Sequence, residues 1–330
     1  MKDKKELSSL VNDELLMVML ELNNISEQHN SESNLNENII NHVLSIPGKQ
    51  LRPSLTIICS KIWNKEVDDK VIKMATAVEL LHIATLVHDD TVDFADTRRG
   101  EKTASNIWGP HIAVLVGDFL FATSAEYVCD TGSIRLIKQF ASTISDLAKG
   151  ELKEIENSND VNIDLKDYLD VIFKKTASLF ATSSMSGALL GGANEKNIQN
   201  LYSYGRNLGL GFQIFDDVLD FEGEENQLGK PVGSDLKNGI MTYPSIIARE
   251  KDKNIKKDIE ELFNLPKKDK EISAKEIVNT IKKAGHVEES KKKASNLIES
   301  SIKDIKSIEK NNVYTESLED LAYYSMKRDK

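Results

Sequence analysis

Leu7, Val11, Leu15, Val18 and Leu22 recur at spacings of four, four, three and four, which stacks them on one side of a helix. The polar interval Ser26 to Glu37 predicts a loop. Pro47-Gly48 predicts a break just before Lys49-Gln50-Leu51-Arg52-Pro53. From Leu51 to Leu190, long apolar-faced segments with few Gly or Pro are interrupted near Asp96 to Ser105, at Trp108-Gly109-Pro110, around Thr131-Gly132 and at Asn157 to Asp164. That rhythm predicts helices with short connections. No series of alternating strands is visible and no strand precedes a glycine-rich loop, which argues against a Rossmann or P-loop site. Gly187, Gly191 and Gly192 are better read as allowing close helix contact or ending a helix.

From Phe221 to Gly239 the chain becomes polar and punctuated by Gly223, Gly229, Gly233 and Gly239 around Lys230 and Asp235, the longest candidate loop inside the compact part. Loops of this length in compact domains are often functional. Residues 251–310 carry sixteen Lys beside twelve Asp and Glu, a near balance that predicts solvated helical faces rather than a polybasic tag. Ser273-Ala-Lys-Glu276 looks like a capping box, and Gly285 falls where that helix should stop. The expected organisation is one all-α domain over 1–330, with a core of about 40–250 and peripheral helices over 251–330.

The 330 residues are 40% hydrophobic with 17 Gly and 6 Pro, enough to bury a sizeable core. Forty-three Lys and Arg against fifty-three Asp and Glu leave a formal charge of −10, which disfavours nucleic acid as a partner. An anionic substrate then needs a local basic cluster, or cations held by carboxylates. The start Met1-Lys-Asp-Lys-Lys-Glu-Leu has no apolar signal-peptide core, and no uninterrupted apolar stretch approaches the roughly 18 residues a membrane span requires. A cytoplasmic location with at most peripheral membrane contact is expected. Cys59 and Cys129 each sit in an apolar run without CxxC spacing, which predicts two buried free thiols.

One short motif occurs twice. Asp89, Asp90 and Asp93 form Asp-Asp-x-x-Asp after an apolar run, and Asp216, Asp217 and Asp220 repeat it. Positions i and i+4 share a helix face, so Asp89 pairs with Asp93 and Asp216 with Asp220. Stacked like charges destabilise a helix unless something cationic sits on them. Hard oxygen ligands without nearby Cys favour Mg²⁺, which keeps several waters and commonly bridges carboxylates to substrate phosphates. Lys49, Arg52, Arg98, Arg99, Lys175 and Lys230 each lie in an apolar stretch or beside a turn signal. Arg98 and Arg99 follow Asp93 by five and six residues, near enough to meet a diphosphate whose metals that carboxylate holds. Arg suits two-pronged phosphate contact, whereas Lys acts more as a point charge.

These residues resemble those of the trans-isoprenyl diphosphate synthases, or polyprenyl synthetases, from about Gly48 through Pro244. The resemblance adds Gly48-Lys49-x-x-Arg52-Pro53, Arg98-Arg99-Gly100, Lys175-Thr176, Phe212-Gln213 and Leu228-Gly229-Lys230 to the two aspartate motifs. It implies a helical bundle around a deep central cleft. It also implies Mg²⁺ on Asp89, Asp90, Asp93, Asp216, Asp217 and Asp220, with Arg98, Lys175 and Lys230 gripping an allylic diphosphate. Lys49, Arg52, His82 and Arg99 would hold isopentenyl diphosphate. The implied reaction is ionisation of the allylic diphosphate to a carbocation, attack by the double bond of isopentenyl diphosphate, and proton loss. Thr176 and Gln213 would face the cation with their dipoles. The chain departs from the family at Gln50 and Ile240, positions often basic there.

Chain length should depend on the space beneath the first motif. Ala84 and Thr85, five and four residues before Asp89, are small where short-chain members often carry an aromatic residue, which implies a long polyprenyl product rather than farnesyl or geranylgeranyl diphosphate. Phe119, Phe121 and Tyr127 are candidates for a tunnel floor. The family implies a homodimer with an interface between about Gly109 and Lys153, although a heteromeric synthase is also compatible. A terpene cyclase would usually mix Asn, Ser and Glu in its second metal site, unlike Asp216-Asp217-x-x-Asp220, and a noncatalytic subunit commonly loses one or both motifs. An HD-type phosphohydrolase, suggested by His88-Asp89, explains neither the second motif nor the basic residues.

Overall fold

The computed structural model describes residues 10–28, 34–46, 48–222 and 232–326. The helical periodicity becomes α1 (Asn12–Gln28), α2 (Asn34–Ser45), α3 (Leu51–Lys61) and α4 (Asp69–Val92). A hairpin of two-residue strands, β1 (Thr97–Arg98) and β2 (Glu101–Lys102), leads into α5 (Ala104–Trp108), α6 (Pro110–Asp130), α7 (Ile134–Glu156) and α8 (Leu165–Ile172). A π-helical turn, Phe173–Ala177, joins α8 to α9 (Ser178–Leu190), which is followed by α10 (Glu195–Glu222) and α11 (Ser234–Lys237). Then come α12 (Tyr243–Lys251), α13 (Lys253–Asn264), α14 (Lys270–Lys283), α15 (His286–Lys306) and α16 (Val313–Met326). The all-α expectation holds, with the small hairpin as the departure among the described residues.

The chain divides into two compact units, each discontinuous in sequence. One comprises Met1–Ala141, Thr182–Leu201 and Lys310–Leu318, and the other Ser142–Ala181, Tyr202–Glu309 and Glu319–Lys330. In the first unit, α1 turns Val11, Leu15, Val18, Leu22 and Ile25 inward as its spacing requires, while Leu7 lies outside the described residues. The polar stretch Ser26 to Glu37, expected to be a loop, is helical at both ends, where α1 continues to Gln28 and α2 starts at Asn34; 29–33 lie outside the described residues. Helix α4 packs against α1, α3 and α6, and Val71, Met74, Ala75, Val78, Leu80 and Leu81 are all buried along it. A helix apolar on most sides belongs inside a protein.

Gly187 and Gly191 do what was expected of them. A Cβ at Gly187 would sit 2.0 Å from the Thr56 carbonyl oxygen, and one at Gly191 2.5 Å from that of Ser60, so only glycine lets α9 lie against the α3 backbone. Gly192, with φ +85°, ends the helix.

Among the described residues, two helices, α4 and α6, are long and apolar enough to cross a membrane by length and composition alone. The apolar window of α4 is 67% buried, as suits a core helix, but that of α6 is only 28% buried. Leu115 on α6 is 63% exposed. The same uncovered face corrects the cysteine reading: Cys59 on α3 is buried, but Cys129 on α6 is exposed.

In the second unit the helices of residues 251–306 are amphipathic, and their inner faces are not peripheral to the core. Ile255, Ile259, Leu262, Ile277, Val278, Ile281 and Val287 share one buried cluster with Ile214, Val218 and Phe221 of α10. Each such side chain contributes about 1.5–3 kcal/mol when fully buried. Helix α14 starts at Lys270, so Ser273 lies within it instead of capping it. Gly285 ends it as expected, at φ +83°.

Candidate active site

The first aspartate motif occupies the last turn of a long helix, and the second lies in the last two turns of another. Asp89 and Asp90 end α4, and Asp93 caps it, with its N–H donating to the Asp89 carbonyl at 2.8 Å. Asp216, Asp217 and Asp220 sit in the closing turns of α10. The C-terminal end of a helix carries partial negative charge, so a carboxylate there is disfavoured by about 0.3–1 kcal/mol. Three of them in one turn require cations.

One cation for the first motif comes from the hairpin. Arg99 and Gly100, at φ 54° and 87°, form its two-residue turn, and Arg98 pairs with Glu101 across the ladder. Positive φ at both turn positions matches the strand twist, which is why glycine follows the arginine pair. The turn sends Arg98 back onto α4. Its Nε donates to both oxygens of Asp90 at 2.8 Å, and its Nη2 lies 2.7 Å from Oδ1. Asp90 is buried, whereas Asp89 is half-buried and Asp93 exposed. Two residues expected to act on metal and diphosphate separately are therefore held to each other.

Beside this pair lies a cavity of about 250 Å³. Its polar wall includes Gln50, Glu79, His82, Asp90, Arg98 and Arg99, and its apolar wall includes Met19, Leu22, Val43, Ile83, Leu86 and Val87. Gln50 enters it from a left-handed backbone, φ 49°, at the N-cap of α3. Burial lowers the pKa of His82 well below its ordinary value, and the charges of Arg52, Arg99 and Arg98 lower it further, so the imidazole is neutral. Burial also lowers Arg52 to about 10, opposed by Glu79 and reinforced by Arg99. Lys49 is exposed and does not line the cavity. Of the residues expected to hold isopentenyl diphosphate, His82 and Arg99 line the cavity together with Arg98, whereas Lys49 and Arg52 do not, although the charge of Arg52 acts on Glu79 and His82.

The second motif belongs to a hydrogen-bonded chain within the other unit. Thr176 Oγ1 donates to Gln213 Oε1 at 2.7 Å, Gln213 Nε2 donates to Asp217 Oδ1 at 3.0 Å, and Tyr168 Oη donates to Asp217 Oδ2 at 2.5 Å. Burial raises the pKa of Asp217 to about 7, with Asp235 adding to the rise and its two hydrogen-bond donors opposing it. Asp220 is almost fully buried, and its Oδ2 accepts the Asp235 N–H at 3.0 Å. Lys174, Lys175 and Thr176 ride on the π-helical turn, a distortion frequent at functional sites. Lys175 is held by Glu151 at 2.8 Å and by Glu154. Burial pulls its pKa down, but the two glutamates outweigh this and leave it raised.

Lys230 lies outside the described residues. Ile240 is half-buried, its N–H bonded to the Asp235 carbonyl, and supplies no charge. Of the candidate floor residues, Tyr127 is tied by its hydroxyl to Glu21 and lies under Lys73, while Phe121 stacks on His88 at 5.3 Å. His88 Nε2 lies 3.1 Å from the Val114 carbonyl, over the space left by Gly117, which is a packing role. Thr85 is half-buried, and its hydroxyl bonds the His82 carbonyl, whereas Ala84 is fully buried. Sequence reasoning missed Glu79, Tyr168, Glu151 and Glu154. Only Glu79 left a signal, as the sole acid between Asp69 and Asp89.

The donor set suits a hard divalent cation. All six motif side chains are carboxylates, and among the described residues no three metal-ligating side chains converge into a ready-made cage. An ion bound by one or two carboxylates, with water and phosphate oxygens completing its shell, fits Mg²⁺ better than an all-protein site.

A protein-family model, polyprenyl synthetase, matches residues 33–281. Among curated relatives, solanesyl diphosphate synthase 1 of Arabidopsis thaliana chloroplasts is 34% identical over 286 residues, 85% of this chain and 69% of the relative. Among solved structures, heptaprenyl diphosphate synthase from Staphylococcus aureus is 31% identical with a TM-score of 0.89, over 97% of this chain and 99% of that one. Polyprenyl synthase from Caulobacter crescentus CB15, complexed with calcium and isoprenyl diphosphate, is also 31% identical, with a TM-score of 0.87 over 99% and 98%. Two aspartate motifs in the closing turns of two long helices, a cavity lined by Arg98 and Arg99 beside the first, and this match over most of the chain make it a prenyltransferase of the polyprenyl synthetase family.

Proposed function

We propose that the chain condenses an allylic diphosphate with isopentenyl diphosphate, Mg²⁺-dependently, to build a long polyprenyl diphosphate. The observation that carries this is the pair of aspartate motifs, each placing stacked carboxylates in the closing turns of a long helix, where cations would offset their charge. Asp89, Asp90, Asp93, Asp216, Asp217 and Asp220 would hold the metal ions. When bound, these offset the charge of the departing diphosphate. Arg98, Lys175 and Lys230 grip the allylic diphosphate, and Lys49, Arg52, His82 and Arg99 receive that of isopentenyl diphosphate. The neutral imidazole of His82 carries one N–H that can donate a hydrogen bond to a diphosphate oxygen without adding charge. Thr176 and Gln213, hydrogen-bonded to each other, turn fixed dipoles toward the developing cation. Water would quench that cation, so the reacting carbons need an apolar surround.

The small residue Thr85, four residues before Asp89, supports a long product, as do the solanesyl and heptaprenyl names of relatives. The half-uncovered apolar face of α6 supports a homodimer through that helix. Purified protein incubated with labelled isopentenyl diphosphate, farnesyl diphosphate and Mg²⁺ tests the reaction, with EDTA and Asp89→Ala as controls. Metal-dependent incorporation of label, lost in both controls, is expected. No consumption with farnesyl, geranyl or dimethylallyl primers would overturn a standalone synthase and point to a second subunit or a cyclised product.

A further inference from the structure

Glu79 has no part in the roles assigned so far, yet it sits within the polar wall of the α4 cavity. It precedes His82 by three residues, so the two share a helix face. It is 6% exposed and lines the cavity with His82, Arg98 and Arg99. A Cβ built on Gly48 would lie 3.2 Å from Glu79 Oε1 and 3.3 Å from Arg99 Nη1. Carboxylate and guanidinium thus converge on the gap a glycine leaves, in the segment that carries Lys49 and Arg52.

The charges of Arg52 and Arg99 both act on Glu79, and each arginine lowers the pKa of His82. The charge of Arg99 acts unfavourably on Arg52, so the two guanidinium groups repel each other before any anion arrives. A buried carboxylate attracted to both counters that repulsion, and such a carboxylate is itself tolerable only with cations around it. Asp90 restrains the third arginine, Arg98, in the same way.

We propose that Glu79 is a positioning residue for isopentenyl diphosphate: its carboxylate holds Arg52 and Arg99 in the geometry in which they meet the incoming diphosphate. The proposal rests on the assignment of this cavity to isopentenyl diphosphate. Its effect is preorganisation, so it should be read in the affinity for one substrate and not in the chemical step.

The test is steady-state kinetics on the full chain with Glu79→Gln, Glu79→Asp, Arg99→Gln and the Glu79→Gln/Arg99→Gln double variant. Glu79→Gln should raise KM for isopentenyl diphosphate about tenfold, with kcat and KM for farnesyl diphosphate within about twofold of wild type. Glu79→Asp, which keeps the charge, should recover part of the loss. The double variant should lose less than the two single losses combined, because part of the effect of Glu79 runs through that arginine and the rest through Arg52. An unchanged KM for isopentenyl diphosphate, an equal rise in both KM values, or additive losses would each overturn the proposal.

Should Glu79→Gln not fold, Gly48→Ala crowds the same two atoms with all charges kept. The same selective rise is expected, and an unchanged KM contradicts the role. Should wild type consume no isopentenyl diphosphate, the prenyl-transfer reading fails by itself. The role of Glu79 is then read by calorimetry with inorganic pyrophosphate in EDTA, where Glu79→Gln should weaken binding about tenfold and equal affinity would overturn it.

Discussion

Arg98 reaches eight residues back along the chain to clamp Asp90, with Nε 2.8 Å from both carboxylate oxygens and Nη2 2.7 Å from one of them. The pair links the hairpin to the end of α4 and so fixes the geometry of the first aspartate motif. Removing one partner of a fully buried pair costs about 3–5 kcal/mol. Arg98 is 32% exposed on its side chain, so solvent screening reduces the expected loss for Arg98→Ala to about 1–3 kcal/mol. Arg98→Lys keeps the charge but not the planar fork, and should fall between. Urea unfolding at pH 7 measures this, and equal stabilities for wild type and Arg98→Ala would contradict it.

Asp217 gives the metal-free protein a pH dependence. Its folded pKa of about 7 lies above the ordinary carboxylate value of 3.8, so between those limits the folded state keeps a proton that the unfolded chain has lost. Its contribution to stability is therefore greatest below about pH 4, falls as pH rises to about 7, and is flat above. In EDTA, Asp217→Asn should gain on wild type across that interval, read as the difference between the two Tm values at successive pH. A difference that does not change with pH would contradict the burial of the ionised group as its cause.

Ala84 and Thr85 differ in where they point, although the sequence makes them equivalent small residues. Thr85 is half-buried and shares the Asp89 face at i and i+4, while Ala84 is wholly within the core. Thr85→Phe should shorten the prenyl product with folding intact. Ala84→Phe should overpack the core, at about 1–3 kcal/mol, and lower Tm. Chromatography of extracted products and thermal unfolding separate the two. An unaltered product from Thr85→Phe would place the growing chain elsewhere.

Gly187→Ala would push a methyl group to 2.0 Å from the Thr56 carbonyl oxygen, a backbone atom that cannot swing aside. A destabilisation of about 1–3 kcal/mol or more is expected by chemical denaturation. Tolerance of alanine would mean that α9 shifts readily against α3.

The helices and both aspartate motifs were legible in the sequence because periodicity and spacing are local. Val11, Leu15, Val18 and Leu22 report their shared face directly, and Gly187 its close contact. What the sequence hid was set by partners distant along the chain. Asp90 reads like Asp89 until the hairpin delivers Arg98 to it. Tyr168 has no pattern to mark it, since its link to Asp217 spans 49 residues. The charged run 251–310 concealed a buried face because Lys and Glu counts are blind to which side of each helix holds Ile259 or Ile281. Cys129 looked buried because α6 is apolar, yet that face is uncovered in this chain.

The most direct measurement is the length distribution of prenyl chains made by the purified protein from isopentenyl and farnesyl diphosphates with Mg²⁺. The expected result is a metal-dependent ladder that ends on one dominant chain longer than geranylgeranyl. A product that stops at geranylgeranyl would contradict the long-chain assignment, and no incorporated label with any allylic primer would contradict catalysis by this chain alone.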